Sequence, residues 1–240
     1  MQTIVQLVQV IAPLVTVAIF LMGLRAWYWQ LVAKRKFEIA EQAIIVFRRA
    51  NDALSRIRSP IGWSSEHERV KIPDGLSEEK QKLYRQYGIY YDRAQAEQNA
   101  KPFEEVRLIQ ILAEVHISTR AAQCFEVLFR ARHLALVAAH MLIEDHNQYL
   151  PPAQRSEQQK RRLQYHADLY EIRRTNIPKD EDRLSRAVDE ASKVLEVECT
   201  SKLRPPTFKE FVFGQSPGTS NSEWSDITRD VLALPKKNPE

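Results

Sequence analysis

The strongest pattern of hydrophobic positions in the sequence is an unbroken apolar run near its beginning, at residues 4–24. The run holds no charged residue, and its polar members Gln6, Gln9 and Thr16 can hydrogen-bond along their own helix. As an α-helix it would be about 31 Å long, which matches the hydrocarbon core of a bilayer. The pattern predicts a transmembrane anchor at residues 1–24.

Aromatic and basic residues follow the apolar run. Amphipathic rings lie at headgroup depth in membrane proteins, and basic side chains lie close to them. The residues predicted to lie at the membrane interface are Arg25, Trp27, Tyr28, Trp29, Lys34, Arg35 and Lys36.

A cleaved signal peptide is the alternative interpretation of the same run. Signal peptides have a basic segment before a shorter apolar core, and small residues at the cleavage site. Here no basic side chain precedes the run, and the bulky sequence WYWQ at residues 27–30 follows it. The anchor is therefore the favoured interpretation.

The charges after the anchor predict its orientation. Eight lysines and arginines but only three acidic residues lie in residues 25–60. Because cytoplasmic flanks carry an excess of basic residues, we expect the N-terminus outside and the rest of the chain in the cytoplasm. The expected location is the bacterial inner membrane.

The remaining pattern is helical. The chain has only six glycines, none of which lies in residues 90–213, and its prolines cluster at intervals. Both residues disfavour helix interiors, so this distribution predicts an all-α fold of long helices. We expect an antiparallel helical bundle at residues 25–204 and a largely irregular, mobile tail at 205–240. The connections are predicted near residues 58–77, 99–102, 147–153 and 175–180.

The predicted anchor helix continues toward residue 57 with a repeating apolar stripe. Apolar residues recur three and four positions apart at Phe37, Ala40, Ile44, Phe47 and Leu54, and Asn51 fills the missing position. Such spacing is typical of a coiled coil or of an amphipathic helix packed on its own domain. Fewer than four heptads are present, which favours the second interpretation.

Four helices are predicted beyond the first connection, and the third of them, after Pro152, is strongly polar. Ser77 is a suitable N-cap for a helix in which Gly88 costs about 1 kcal/mol relative to alanine. Residues 103–146 predict one central buried helix. Its early apolar residues Val106, Ile109, Leu112 and Ala113 form a stripe, and its later part, with Phe129 and Leu136 in the core, is apolar over much of the circumference. Asp180 can cap a later amphipathic helix.

The segment KFEIAEQAIIVFRRANDALSRIRSP and the following Glu66 carry a family resemblance. They resemble an uncharacterised bacterial family of single-pass membrane-anchored helical proteins. In that family a tryptophan-containing stretch precedes an alanine- and glutamate-containing helix and an Arg-Asn/Ser-Pro turn. The resemblance implies no activity, so no catalytic residue follows from it. The matching residues are Trp29, Ala40, Glu41, Asp52, Arg58, Ser59 and Pro60.

A second motif points to nuclease chemistry. Arg161 and His166 match the Arg-x4-His pattern that resembles helical HEPN ribonucleases. An arginine and a histidine in one cleft can stabilise phosphate charge and move a proton. The pair lies in the most polar predicted helix, so a shared cleft is the observation that decides whether this alternative holds.

A histidine pair suggests a metal site. His133 and His140 stand seven residues apart on one helical face, and Glu144 follows one turn later. Di-iron helical bundles use paired Glu-x-x-His motifs, which this sequence lacks. We therefore expect two buried structural histidines and no metal.

The remaining candidates predict no chemistry. Residues 214–218 match Gly-x-Ser-x-Gly, but no histidine follows His166, and no sheet is predicted to carry a nucleophile elbow. Cys124 and Cys199 are expected to be reduced thiols in a cytoplasmic domain. The net charge of +4 is modest, and the basic clusters alternate with acids. No nucleic-acid partner and no cofactor are expected.

These features together predict a membrane-anchored helical protein that acts through protein–protein contacts, with another protein or with copies of itself. A non-enzymatic role is favoured. The alternative is a membrane-tethered HEPN-like ribonuclease that uses Arg161 and His166.

Overall fold

The computed structural model describes residues 2–60, 66, 70–144, 152–170, 182–203 and 224–233. Within these residues there are eight helices and no strand, which confirms the all-α prediction. The helices are α1 (Gln2–Ile57), α2 (Glu78–Tyr87), α3 (Ile89–Gln95), α4 (Glu97–His116), α5 (Thr119–Glu144), α6 (Pro152–Leu169), α7 (Arg183–Leu203) and α8 (Asp226–Leu232).

The first helix joins two chemically different halves without interruption. α1 contains Pro13, and the Thr16 hydroxyl donates to the carbonyl of Ala12 at 2.9 Å, as the sequence predicts. The large apolar side chains described between Ala12 and Leu24 are exposed. By length and composition, α1 can cross a membrane.

The second half of α1 belongs to an antiparallel four-helix bundle with α4, α5 and α7. The direction of α4 follows from two contacts: Arg49 pairs with Glu105 at 3.7 Å, and Arg56 donates to Asn99 at 2.8 Å. α7 also runs antiparallel to α1, since Arg48 pairs with Glu196 and Arg58 donates to Ser185, and α5 closes the bundle opposite α1. The core includes Phe47, Ala50, Val106, Phe125, Leu128, Leu184 and Leu195.

The repeating stripe on α1 packs within this bundle. Ala40, Phe47 and Leu54 are buried against helices of the same chain, whereas Phe37 is exposed. These contacts are the ones expected of an amphipathic helix on its own domain.

A second hydrophobic cluster surrounds the C-terminal half of α5. There α2, α3 and α6 pack on the face of α5 that contains Ala138, Leu142 and Ile143. Helix α8 packs on α5 and α7, and Ser225 caps it by accepting from the Thr228 amide at 3.3 Å. α5 is therefore central, as predicted.

One helix break predicted from the sequence lies at a different position in the structure. The sequence places a connection near residues 99–102, but α4 begins at Glu97 and runs through Pro102. A proline leaves the carbonyl four residues earlier without its helical donor. Here that carbonyl belongs to Gln98, and Arg56 of α1 donates to it at 3.3 Å. A tertiary contact therefore replaces the missing hydrogen bond.

The long helix predicted at residues 103–146 is two helices. α4 ends at His116, and α5 begins at Thr119 and returns antiparallel to it. The Ser118 hydroxyl accepts from the Ala121 amide at 3.1 Å, so this serine caps the new helix. The sequence contained this signal, a serine three residues before Ala121, but the surrounding apolar pattern obscured it.

Gly88 separates α2 from α3 although its backbone angles, φ −62° and ψ −27°, are helical. A β-carbon at this position would lie 2.7 Å from Cγ1 of Val70 and closer still to the carbonyl oxygen of Tyr84. We therefore expect Gly88→Ala to lower the free energy of unfolding by roughly 1–3 kcal/mol, as overpacking does. Helix propensity alone predicts the opposite, a rise of about 1 kcal/mol in the free energy of unfolding.

Denaturant unfolding of the full chain in nonionic detergent, followed by helical circular dichroism, measures this effect. Gln86→Ala, an exposed substitution in the same helix, is the control and should change stability by less than about 0.5 kcal/mol. A Gly88→Ala protein as stable as the parent would show that no close contact exists there.

Candidate functional site

A buried arginine lies where α1 meets the helices that come later in the chain. Arg58 follows the last residue of α1, and only 2% of it is exposed. It donates to the carbonyl oxygens of Asp168 at 3.0 Å, Tyr170 at 3.0 Å and Ala167 at 3.2 Å. These carbonyls lie at the end of α6, where a helix has unpaired acceptors and a negative dipole end. Arg58, which directly follows α1, therefore caps the C-terminal end of α6.

The same guanidinium holds the beginning of α7. Its Nη2 donates to Oδ1 of Asp182 at 2.8 Å, and its Nη1 donates to the Ser185 hydroxyl at 3.0 Å. Asp182 is the N-cap of α7, because its carboxylate accepts from the Ser185 amide at 2.9 Å. The sequence assigned this role to Asp180, which lies outside the described residues.

The ionisation of Asp182 follows from these contacts. Burial raises the pKa of Asp182, but the charge of Arg58 and the hydrogen bonds from Ser185 outweigh burial and set the pKa below its ordinary value. A lowered pKa means that the ion pair stabilises the fold at neutral pH, and that this contribution is lost as the pH falls through the lowered value.

A second buried carboxylate completes the junction. Arg183 donates to both oxygens of Asp168, at 2.9 and 2.7 Å, and this hydrogen bonding raises the pKa of Arg183. The junction of Arg58, Asp168, Asp182 and Arg183 thus joins α1, α6 and α7 through satisfied charges. Such an arrangement fixes the positions of helices and is not built as an open cleft.

The structure does not bring Arg161 and His166 together. Arg161 is exposed and pairs with Glu157 one turn earlier at 3.8 Å. The His166 ring stacks on Tyr170, with ring centroids 5.7 Å apart, and lies 5.9 Å from the ring of Tyr87. Five residues of α-helix rotate a side chain by about 140°, so the two side chains point to different sides of α6.

His166 behaves as a packing residue in this position. Burial lowers the pKa of His166, and the nearby charge of Arg162 lowers it further. The imidazole is therefore neutral at physiological pH and contributes to an aromatic cluster with Tyr87, Tyr90 and Tyr170. Sequence spacing identified the two candidates, but not the tyrosine rings that pack around His166.

The proposed burial of the two histidines on α5 is wrong. His133, His140 and Glu144 are all exposed, and the Glu144 carboxylate accepts from the Lys80 amine at 3.2 Å. Alanines fill the opposite, buried face of α5, where close helix packing leaves little room for an imidazole. Among the described residues, no group of three or more His, Cys, Asp or Glu side chains could hold a metal ion.

Both cysteines are fully buried free thiols. Burial raises the pKa of the Cys199 thiol to about 12. Burial also raises the pKa of the Cys124 thiol, and the nearby Cys199 raises the pKa of Cys124 further. Both are therefore protonated and poor nucleophiles at neutral pH.

The predicted interface residues lie on α1 before the bundle begins at Ile39. Arg25, Trp27, Tyr28, Lys34 and Arg35 are exposed, and Trp29 and Lys36 are half-buried. Along this stretch of α1, aromatic and basic groups thus lie between the apolar end of the helix and the bundle.

Among the described helices, α4 has an apolar face that the bundle leaves uncovered. On α4, Leu108 is 67% exposed, Ile111 61% and Val115 71%. Their spacing of three and four residues places them in one line, which we call the α4 stripe. The stripe predicted from the sequence, Val106, Ile109, Leu112 and Ala113, lies largely on the opposite side of α4, where Leu112 is half-buried and the other three are buried. The signal that was missed is that α4 is apolar on two sides.

Several predicted features lie outside the described residues. These are the Gly-x-Ser-x-Gly match at residues 214–218, the connection at 175–180, and most of the connection at 147–153 and of the tail.

Comparisons of the chain with protein-family models, with curated proteins and with solved structures found no match.

Proposed function

We propose that this chain is a single-pass membrane protein whose helical bundle, on the cytoplasmic side, acts through contacts with another protein. The observation that carries the proposal is one continuous helix, α1, that joins an exposed apolar end to a folded bundle. The apolar end serves as the anchor because its large apolar side chains described between Ala12 and Leu24 are exposed, and because the apolar run matches a bilayer in length.

The orientation rests on charge. Basic residues outnumber acidic residues in the stretch of α1 that follows the apolar end, and a cytoplasmic flank has this composition. The bacterial inner membrane is the location that fits this orientation. It also fits the resemblance of the first third of the chain to a bacterial family of single-pass membrane-anchored proteins.

The role in protein contacts rests on the α4 stripe. Three large aliphatic side chains in line on a helix surface form the surface against which a partner helix packs. The described structure brings no catalytic constellation together, so an interaction surface is the functional feature that it supports best.

Membrane extraction and topology test the anchor. The protein should stay with membranes during an alkaline wash, and a reporter fused after Glu240 should be active only if it works in the cytoplasm. Deletion of residues 1–24 should release a helical protein into the soluble fraction. A reporter that is active only in the periplasm would contradict the orientation.

Site-specific photo-crosslinking in native membranes tests the contact surface. A crosslinker at Ile111 should give one discrete product, and a Leu108→Glu, Val115→Glu change in the same protein should abolish it. The control is a crosslinker at Lys193, which is exposed on α7. Equal products from both positions, or none from Ile111, would rule out the α4 stripe as a contact surface.

A further inference from the structure

The α4 stripe is part of a longer line of exposed side chains on α4. Lys101 and Glu104 precede Leu108, Ile111 and Val115 at alternating spacings of three and four residues, and all five side chains are exposed. This spacing is that of the seam along which one helix packs against another in a coiled coil. The apolar part of the line is about two helical turns long, and charged residues border it at its beginning.

Two exposed residues of opposite charge lie on one edge of this line. Arg107 and Glu114 directly precede Leu108 and Val115, and their spacing of seven residues places them on the same side of α4. This edge faces α5, because Cζ of Arg107 lies 5.9 Å from the centroid of the Phe129 ring. Neither residue forms an ion pair with another described residue. The edge therefore presents a positive and a negative charge to whatever packs on the α4 stripe.

A second copy of the chain in the same membrane does not complement this edge. α4 is antiparallel to α1, so two copies whose α1 helices cross one membrane in the same direction have parallel α4 helices. Side-by-side packing of these helices places Glu104 beside Glu104 and Lys101 beside Lys101. In a parallel pair, residues that flank the seam meet a flanking residue five positions later in the other helix, so Arg107 would lie beside the uncharged Leu112. The charges therefore favour a different protein.

We propose that the α4 stripe binds an amphipathic helix of another protein that carries an acidic residue opposite Arg107 and a basic residue opposite Glu114. This inference rests on the proposed function and adds the chemistry of the partner. The apolar face of the partner helix packs on the α4 stripe and provides contact area that any amphipathic helix could supply. The two charges provide selectivity, because opposite charges attract and like charges repel across an interface.

Three synthetic peptides test this chemistry with the full chain in nanodiscs of neutral lipid. All three are amphipathic helices with the same leucine seam, and the residues beside the seam are acidic throughout, basic throughout, or acidic in one half and basic in the other. At low salt the mixed peptide should bind roughly threefold more tightly than the other two. It makes two attractive pairs, whereas each of the others makes one attractive and one repulsive pair. Fluorescence anisotropy of labelled peptides measures the affinities, and empty nanodiscs give the background.

Charge changes in the protein should change this preference in a defined direction. Glu114→Arg makes the edge basic, so the acidic peptide should then bind best. Arg107→Glu makes the edge acidic, so the basic peptide should then bind best. The control is Lys193→Glu, which changes an exposed charge on α7 and should leave the preference for the mixed peptide as it is in the parent.

The location of binding is tested by Leu108→Glu, Val115→Glu in one protein, which should abolish binding of all three peptides. Retained binding would place the peptides elsewhere and overturn the proposal. Equal affinity of the parent for all three peptides, absence of saturable binding, or an unchanged preference in Arg107→Glu and Glu114→Arg would also overturn it.

The crosslinking experiment at Ile111 separates this proposal from the proposed function. A discrete crosslinked product together with equal peptide affinities would keep the α4 stripe as a contact surface and overturn only the charge pattern of the partner. A product that consists of two copies of this chain would identify the partner as a second copy and would overturn the proposal of a different protein.

Discussion

Replacement of Arg58 by alanine should lower the free energy of unfolding by roughly 3–5 kcal/mol. The substitution leaves the buried Asp182 carboxylate without its cation and the end of α6 without its donor. A buried charge that loses its partner keeps its full desolvation cost, which is why this loss exceeds the contribution of an ordinary ion pair. Arg58→Lys should restore little, because one amine cannot reach all the acceptors of a guanidinium fork.

Denaturant unfolding of the full chain at neutral pH measures this loss. The control is Arg48→Ala, which removes an exposed ion pair with Glu196 at 2.9 Å and should cost less than about 1 kcal/mol. If Arg58→Ala lowered the free energy of unfolding no more than Arg48→Ala does, the buried junction around Arg58 would not stabilise the fold as described.

Replacement of Phe125 by alanine should lower the free energy of unfolding by roughly 3–5 kcal/mol, because transfer and cavity costs add in a packed core. Phe125 is fully buried at the centre of the four-helix bundle, and its ring packs edge-on against that of Phe47 with centroids 5.8 Å apart. Phe129 and Leu136, which the sequence placed in the core, are only half-buried, so alanine at either should cost less.

The same unfolding measurement separates these positions. Leu108→Ala is the control, since Leu108 is exposed on α4 and should change stability by less than about 0.5 kcal/mol. Similar losses at Phe125 and Leu108 would mean that the bundle core is not where the structure places it.

The sequence by itself determined the class of fold and the course of the first helix. Glycine and proline are rare in long stretches, and hydrophobic positions recur with helical spacing, so all-α structure follows from local preference alone. The apolar run at residues 4–24 is equally local, because length and composition decide whether a helix can cross a bilayer. Hydrogen bonding along the helix by Thr16 was predicted for the same reason.

Only the tertiary structure decided which helix faces were covered and which polar groups met. Pro102 remains inside a helix because Arg56, from another helix, donates to the carbonyl that proline leaves unpaired. Gly88 is required by the approach of the Tyr84 carbonyl and of Val70, and not by its own backbone angles. The exposure of His133 and the burial of Arg58 likewise depend on the neighbours that the fold supplies. These features come from contacts between residues far apart in the chain, which helical periodicity does not encode.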